Sequence, residues 1–105
     1  MSSGKLAAVD LSANTPTVIY SVPGNTVTSF TINMCNRNEE NALIRLALTT
    51  GVTLTDADYI EYDTTLLAKN VLERSGLILH AGQSVMAQSN KSSVNVVIVG
   101  IEDLI

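Results

Sequence analysis

At 105 residues the chain has the length of one domain, and Leu, Ile and Val supply 12, 8 and 11 of those residues against 4% aromatic and 15% charged. Such a composition argues against a disordered chain, which combines low hydrophobicity with high charge, and no run nears the roughly 18 apolar residues of a membrane span. The net charge is −4 and the six basic residues, Lys5, Arg37, Arg45, Lys69, Arg74 and Lys91, are scattered, so no stripe exists to neutralise a nucleic-acid backbone.

The start, Met1-Ser2-Ser3-Gly4-Lys5, lacks the apolar stretch of a signal peptide, so the expectation is a soluble protein not secreted by that route. Residues Lys5 to Leu11 then form either a first strand or an N-terminal arm that adds to a neighbouring sheet edge. Thr17 to Val22 is the next strand, closed by the Pro23-Gly24-Asn25 turn, in which Pro presets φ and Gly accepts positive φ. Thr26 to Asn36 follows, with Phe30, Ile32 and Met34 on one face; Val27 is out of phase with them, which predicts a bulge near Thr28. Cys35, the only cysteine, lies in this strand and reads as a small buried hydrophobe. After the polar loop Asn36 to Asn41, Ala42, Ile44, Leu46 and Leu48 alternate with Arg45, Ala47 and Thr49, which marks a half-buried strand with Arg45 outward.

Tyr59 to Thr64 is a further strand, then Val71 to Arg74 and Leu77 to His80 flank Ser75-Gly76. Turns at Ala81-Gly82-Gln83 and Asn90 to Ser93 bound Ser84 to Ser89 and the last strand, Val94 to Ile101. Turn signals at about 8–12-residue spacing, with no strand and long-helix alternation, predict an all-β fold. The expected architecture is an antiparallel β-sandwich, jelly-roll-like, of about eight short strands, one domain over residues 1–105 with 1–11 as arm or first strand.

The last strand is apolar on both faces. Val94, Val96 and Ile98 fill one, and Val97, Val99 and Ile101 the other. A fully buried aliphatic side chain is worth about 1.5–3 kcal/mol, so covering the second face matters to a small domain. Either a loop or the N-terminal arm lies over it, or another subunit does. Leu6, Ala8, Val97, Val99 and Ile101 are accordingly the candidate oligomer or partner interface.

Catalytic chemistry has little to stand on. His80, the only histidine, has no cysteine at motif spacing, and no serine sits in a Gly-x-Ser-x-Gly elbow. Asp56, Asp58, Glu61 and Asp63 form the densest acidic group, yet they lack the spacing of a calcium loop, and strand alternation sets Asp58 opposite Glu61 with Asp63 back on the Glu61 side. Glycines occur singly, so no loop cradles phosphate. The expectation is no enzyme, with no catalytic residue, cofactor or metal.

Asp58-Tyr59-Ile60-Glu61-Tyr62-Asp63, Val71-Leu72-Glu73-Arg74-Ser75-Gly76-Leu77-Ile78-Leu79, Ala81-Gly82-Gln83-Ser84-Val85 and the closing Val96-Val97-Ile98-Val99-Gly100-Ile101-Glu102 resemble small virion proteins of tailed bacteriophages, especially those of marine and cyanobacterial hosts. Ile32 to Asn38 resembles the first long core strand of that family. The resemblance implies a virion β-sandwich made in the bacterial host cytoplasm. Its implied role is a capsid decoration (cement) protein that binds the head surface, through the major capsid protein or another virion protein, as a homo-oligomer, with a trimer expected. The alternative it implies is a tail- or fibre-associated adhesion or carbohydrate-binding module, for which the aromatic supply is Tyr20, Phe30, Tyr59 and Tyr62 with no Trp.

Overall fold

The computed structural model describes residues 2–105, so Met1, the first residue of the expected arm, lies outside the described residues. Eight strands carry the chain: β1 Ser3–Leu11, β2 Thr17–Ser21, β3 Thr26–Asn36, β4 Ala42–Thr50, β5 Tyr59–Leu66, β6 Val71–His80, β7 Gln83–Ser89 and β8 Val94–Leu104. One turn of 3₁₀ helix, Asp56–Asp58, precedes β5. The first sheet runs β1-β8-β3-β6 and the second β2-β7-β4-β5, every pair antiparallel. Only β4 and β5 are joined as neighbours in one sheet; every other connection passes from one sheet to the other. That interleaving is the double Greek key of a jelly roll, so the expected sandwich is the observed one.

Two inward faces make the core. β3 contributes Ile32 and Met34, β8 Val96 and Ile98, β4 Ile44 and Leu46, and β7 Val85, all at most 1% exposed. The accessible area is 5419 Å², close to the ~5,700 Å² that surface scaling gives a folded chain of this mass. β8 lies so close to β3 that a Cβ on Gly100 would sit 2.2 Å from the Ser29 carbonyl oxygen and 2.7 Å from Phe30 Cβ. Only glycine fits there, opposite Phe30 in the ladder.

Several expectations change against this frame. β3 pairs with β8 without interruption from Thr26 to Asn36, so no bulge exists near Thr28. Val27 instead faces outward, and Thr26 and Thr28 point in because their hydroxyls are satisfied: Thr26 Oγ1 donates to the Gly24 carbonyl at 3.0 Å, and Thr28 Oγ1 lies 3.0 Å from the Tyr20 hydroxyl. Cys35, between inward Met34 and Asn36, is on the outer face and only half-buried, which overturns its reading as a core residue. Ser75-Gly76 does not separate two strands; it is a bulge inside β6, where Gly76 takes φ 73° and Phe30 and Ile32 face Leu77 and Arg74. The segment left open as arm or strand is β1, paired along β8 from Ser3 opposite Ile101 to Leu11 opposite Val94, with Leu11 buried in the core.

Polar pairs tie the sheets together at their ends. Asn36 Nδ2 donates to the carbonyls of Leu66 at 3.0 Å and Glu40 at 2.9 Å, while its Oδ1 accepts from the Asn38 amide and side chain, so this fully buried amide spans β3, β5 and the loop between β3 and β4. Arg74 of β6 pairs with Glu61 of β5 along the open side. At the other end the Tyr20 hydroxyl of β2 donates to Glu102 of β8. Burial first, and then the bond to Glu102, push the Tyr20 phenol from its ordinary 10.0 up to about 12.

Tyr20→Phe is expected to leave the fold intact but cost about 1–3 kcal/mol, because Glu102 loses its buried donor. Stability carried by the phenol is complete below its unfolded pKa near 10 and is lost as pH rises through about 12, so the variant should lose less stability than the native chain over that alkaline range. Urea unfolding at neutral and alkaline pH measures both effects. Equal stability of the two chains at neutral pH would mean the bond contributes nothing.

Candidate functional site

The outer face of the first sheet is read off its ladder. Because successive side chains alternate, the outward residues of β8 stand in one line, Asn95, Val97, Val99, Ile101 and Asp103, of which the middle three are apolar. Ala8 of β1 lies opposite Val97, and Lys5 opposite Val99. On the far side, Ser29 of β3 is opposite both Ile101 and Ile78 of β6. No loop among the described residues covers the line; Val99 is 37%, Ile101 53% and Ile78 65% exposed. A shallow groove of ≈ 510 Å³ runs along it, between Ile78, Gly76, Thr31, Val99 and Ile101.

Of the five candidate interface residues, four therefore share this face. Leu6 does not: it is the bulged residue where Lys5 and Ala7 of β1 face the adjacent Val99 and Ile98 of β8, and it packs against the core. Ile78 was missed by sequence reading although Leu77-Ile78-Leu79 is apolar on both faces, the same signal that marked β8.

The acidic cluster disperses. Asp58 Oδ2 accepts from the Thr55 amide and hydroxyl, each at 3.0 Å, as the reciprocal cap of the 3₁₀ turn. Glu61 holds Arg74, and Asp63 leaves the Glu61 side altogether. Asp63 takes φ 52° on a bulge of β5, where Ile44 and Leu46 face Thr64 and Glu61, so its side chain is re-aimed to the outer face of the second sheet. There it accepts from Arg45 Nε at 2.7 Å and Nη2 at 3.2 Å, and the guanidinium holds the Asp63 carboxyl below its ordinary value. Arg45 also lies over the Tyr62 ring, 4.1 Å from its centroid, and Tyr62 meets Tyr59 edge-on at 4.9 Å. His80 is exposed at the β6–β7 turn, its Nδ1 3.0 Å from the Ala81 carbonyl oxygen. Among the described residues no three His, Cys, Asp or Glu side chains converge as metal ligands, and no helix is long and apolar enough to cross a membrane.

No protein-family model matches the chain. No curated protein matches it either. Among solved structures, the chain is similar to two crystal structures of a pentameric capsid protein isolated from metagenomic phage sequences. One shares 22% identity over 94% of this chain and 67% of that chain, with a TM-score of 0.47. The other shares 23% identity over 94% of this chain and 66% of that chain, with a TM-score of 0.46. The chain thus spans about two thirds of the length of those capsid chains.

Proposed function

We propose that this chain is a structural protein of a phage virion, a non-enzymatic capsid decoration protein that attaches to the head as a homo-oligomer through the outer face of the β1-β8-β3-β6 sheet. The observation that carries the reading is the uncovered line Val97, Val99 and Ile101 with Ile78 beside it. Jelly rolls serve viral capsids, lectins and cupins alike, so the fold alone leaves the function open and the exposed face is what supports this reading. At about 25 cal/mol per Å² of apolar surface removed from water, an exposed aliphatic strip of this kind stabilises an assembly that covers it. Closed homo-oligomers are the common way of doing so. The sequence resemblance to small virion proteins points the same way. The tail- or fibre-module alternative has a smaller aromatic supply than its sequence offered, since Tyr20 and Phe30 are core residues.

Light scattering at low micromolar concentration is expected to give an oligomer, and its mass counts the subunits: three on the sequence expectation, five if it assembles as the metagenomic capsid proteins do. Val99→Asp should weaken self-association by about a hundredfold or more, since an unpaired carboxylate would enter the covered face, while the domain stays folded. A monomeric native chain overturns the oligomer. Mass spectrometry of purified particles, with heads and tails separated, tests the location; absence from heads overturns the decoration reading.

A further inference from the structure

The opposite face of the molecule, on the β2-β7-β4-β5 sheet, carries a different kind of surface. At one end a groove of ≈ 220 Å³ is lined by Asn14, Gln88, Asn90, Arg45, Asp63 and Leu43. Five of the six are polar, and they come from the β1–β2 loop, β7, the β7–β8 loop, β4 and β5. The register brings them together: Arg45 is opposite Gln88 across β4 and β7, and Asn14 is tied to the end of β7 by its amide bond to the Ser89 carbonyl at 2.7 Å.

Three amide side chains reach this groove with hydrogen-bonding capacity left over. Asn90 uses Oδ1 to accept the Leu43 amide at 2.8 Å, which fixes its orientation and leaves Nδ2 as a donor. Gln88 and Asn14 have no side-chain partner among the described residues. Arg45 and Asp63 stand in one fixed pose, forked on each other and stacked on Tyr62, so their spare lone pairs and N–H groups are held in place without net charge. Tyr62 does not line the groove; its ring supports Arg45 from behind. Two of the lining residues, Asn14 and Asp63, take left-handed backbone conformations at φ 58° and 52°.

The combination selects a ligand class. Amides present a donor and an acceptor together, which matches the double role of a sugar hydroxyl. An anion would need a free positive charge, and the one cation lining the groove is neutralised by Asp63. The volume lies below the ≈ 300 Å³ at which pockets for drug-sized ligands begin, so a single ring fits rather than a large ligand. We propose that this groove binds a neutral sugar residue, its hydroxyls on Asn14, Gln88, Asn90 and the Arg45–Asp63 fork. The proposal is independent of the assembly reading: it uses the sheet turned away from the apolar face, so a head-bound protein would present the groove outward.

The test is heteronuclear NMR of the isotope-labelled native protein, titrated with the neutral methyl glycosides of glucose, galactose, mannose and N-acetylglucosamine, and with glucuronate as the anionic arm. At least one neutral glycoside is expected to shift the side-chain amide signals of Gln88, Asn14 and Asn90. Gln88→Ala and Arg45→Ala should each weaken that binding by about tenfold or more, through loss of hydrogen bonds to the sugar hydroxyls, with the backbone spectrum otherwise native. No shift of these amides with any neutral glycoside at tens of millimolar overturns the proposal. So does a response to glucuronate alone, or unchanged affinity in both variants. None of these outcomes bears on the oligomer mass, which tests the assembly reading separately.

Discussion

Leu46→Asp is expected to leave no folded protein, whereas Arg45→Ala, one residue away, leaves the domain folded with a small drop in melting temperature. Leu46 is 1% exposed in β4, which has β7 on one side and β5 on the other. Aspartate there removes a buried aliphatic side chain, worth about 2–5 kcal/mol on truncation, and adds a carboxylate with no partner, worth several more. Together these match the 5–15 kcal/mol that holds a typical domain together. Ile44→Asp should behave the same way, since Ile44 is fully buried two residues earlier on the same face. Arg45 points outward to Asp63 and Tyr62, and water replaces those contacts when it is truncated. Far-UV circular dichroism and protease resistance of the variants read the contrast. An unfolded Arg45→Ala beside a folded Leu46→Asp would place β4 one residue out of register.

Deletion of residues 1–11 should likewise unfold the domain or drive it to aggregate. The sequence left this segment open as an arm or a first strand; as β1 it is built in. Leu11 is 3% exposed in the core, and Leu6, Ala7 and Val9 pack against the core cluster. At about 1.5–3 kcal/mol for a fully buried aliphatic residue and less for each half-buried one, the truncation removes roughly 4–7 kcal/mol. It also strips β8 of its ladder partner on one side and leaves a long apolar strand as a bare sheet edge, which invites pairing with other chains. Size-exclusion chromatography and thermal melting of the truncated chain give the answer. A monodisperse product with a native melting temperature would show β1 to be dispensable and return it to the role of an arm.

Alternation within a strand was legible wherever a run of residues kept one phase. β3 has the expected bounds, Thr26–Asn36, and β4 has Ile44 and Leu46 inward and Arg45 outward as expected. The two-faced pattern of β8 identified a surface that no loop among the described residues covers. Phase failed at the bulges. Leu6, Asp63 and Ser75-Gly76 each sit where one strand has a residue more than its neighbour, and that mismatch belongs to the pair of strands, so neither sequence segment contains it alone. Cys35 was misplaced for another reason: its chemistry suggested burial while its position between Met34 and Asn36 put it outside, and position prevails in a paired strand.

The sequence by itself determined the fold class, the strands and which face of most of them is apolar, because a period of two and the turn residues between runs are local properties of the chain. Tertiary structure alone decided which strands are neighbours. Eight residues of β1 find their partners near the far end of the chain, and the groove formed by Asn14, Arg45, Asp63, Gln88 and Asn90 gathers side chains from five separate segments. No local pattern announces such a meeting. In a jelly roll nearly every connection crosses between sheets, so strand order follows from how the two apolar faces close on each other as a whole, and surface sites exist only once they have closed.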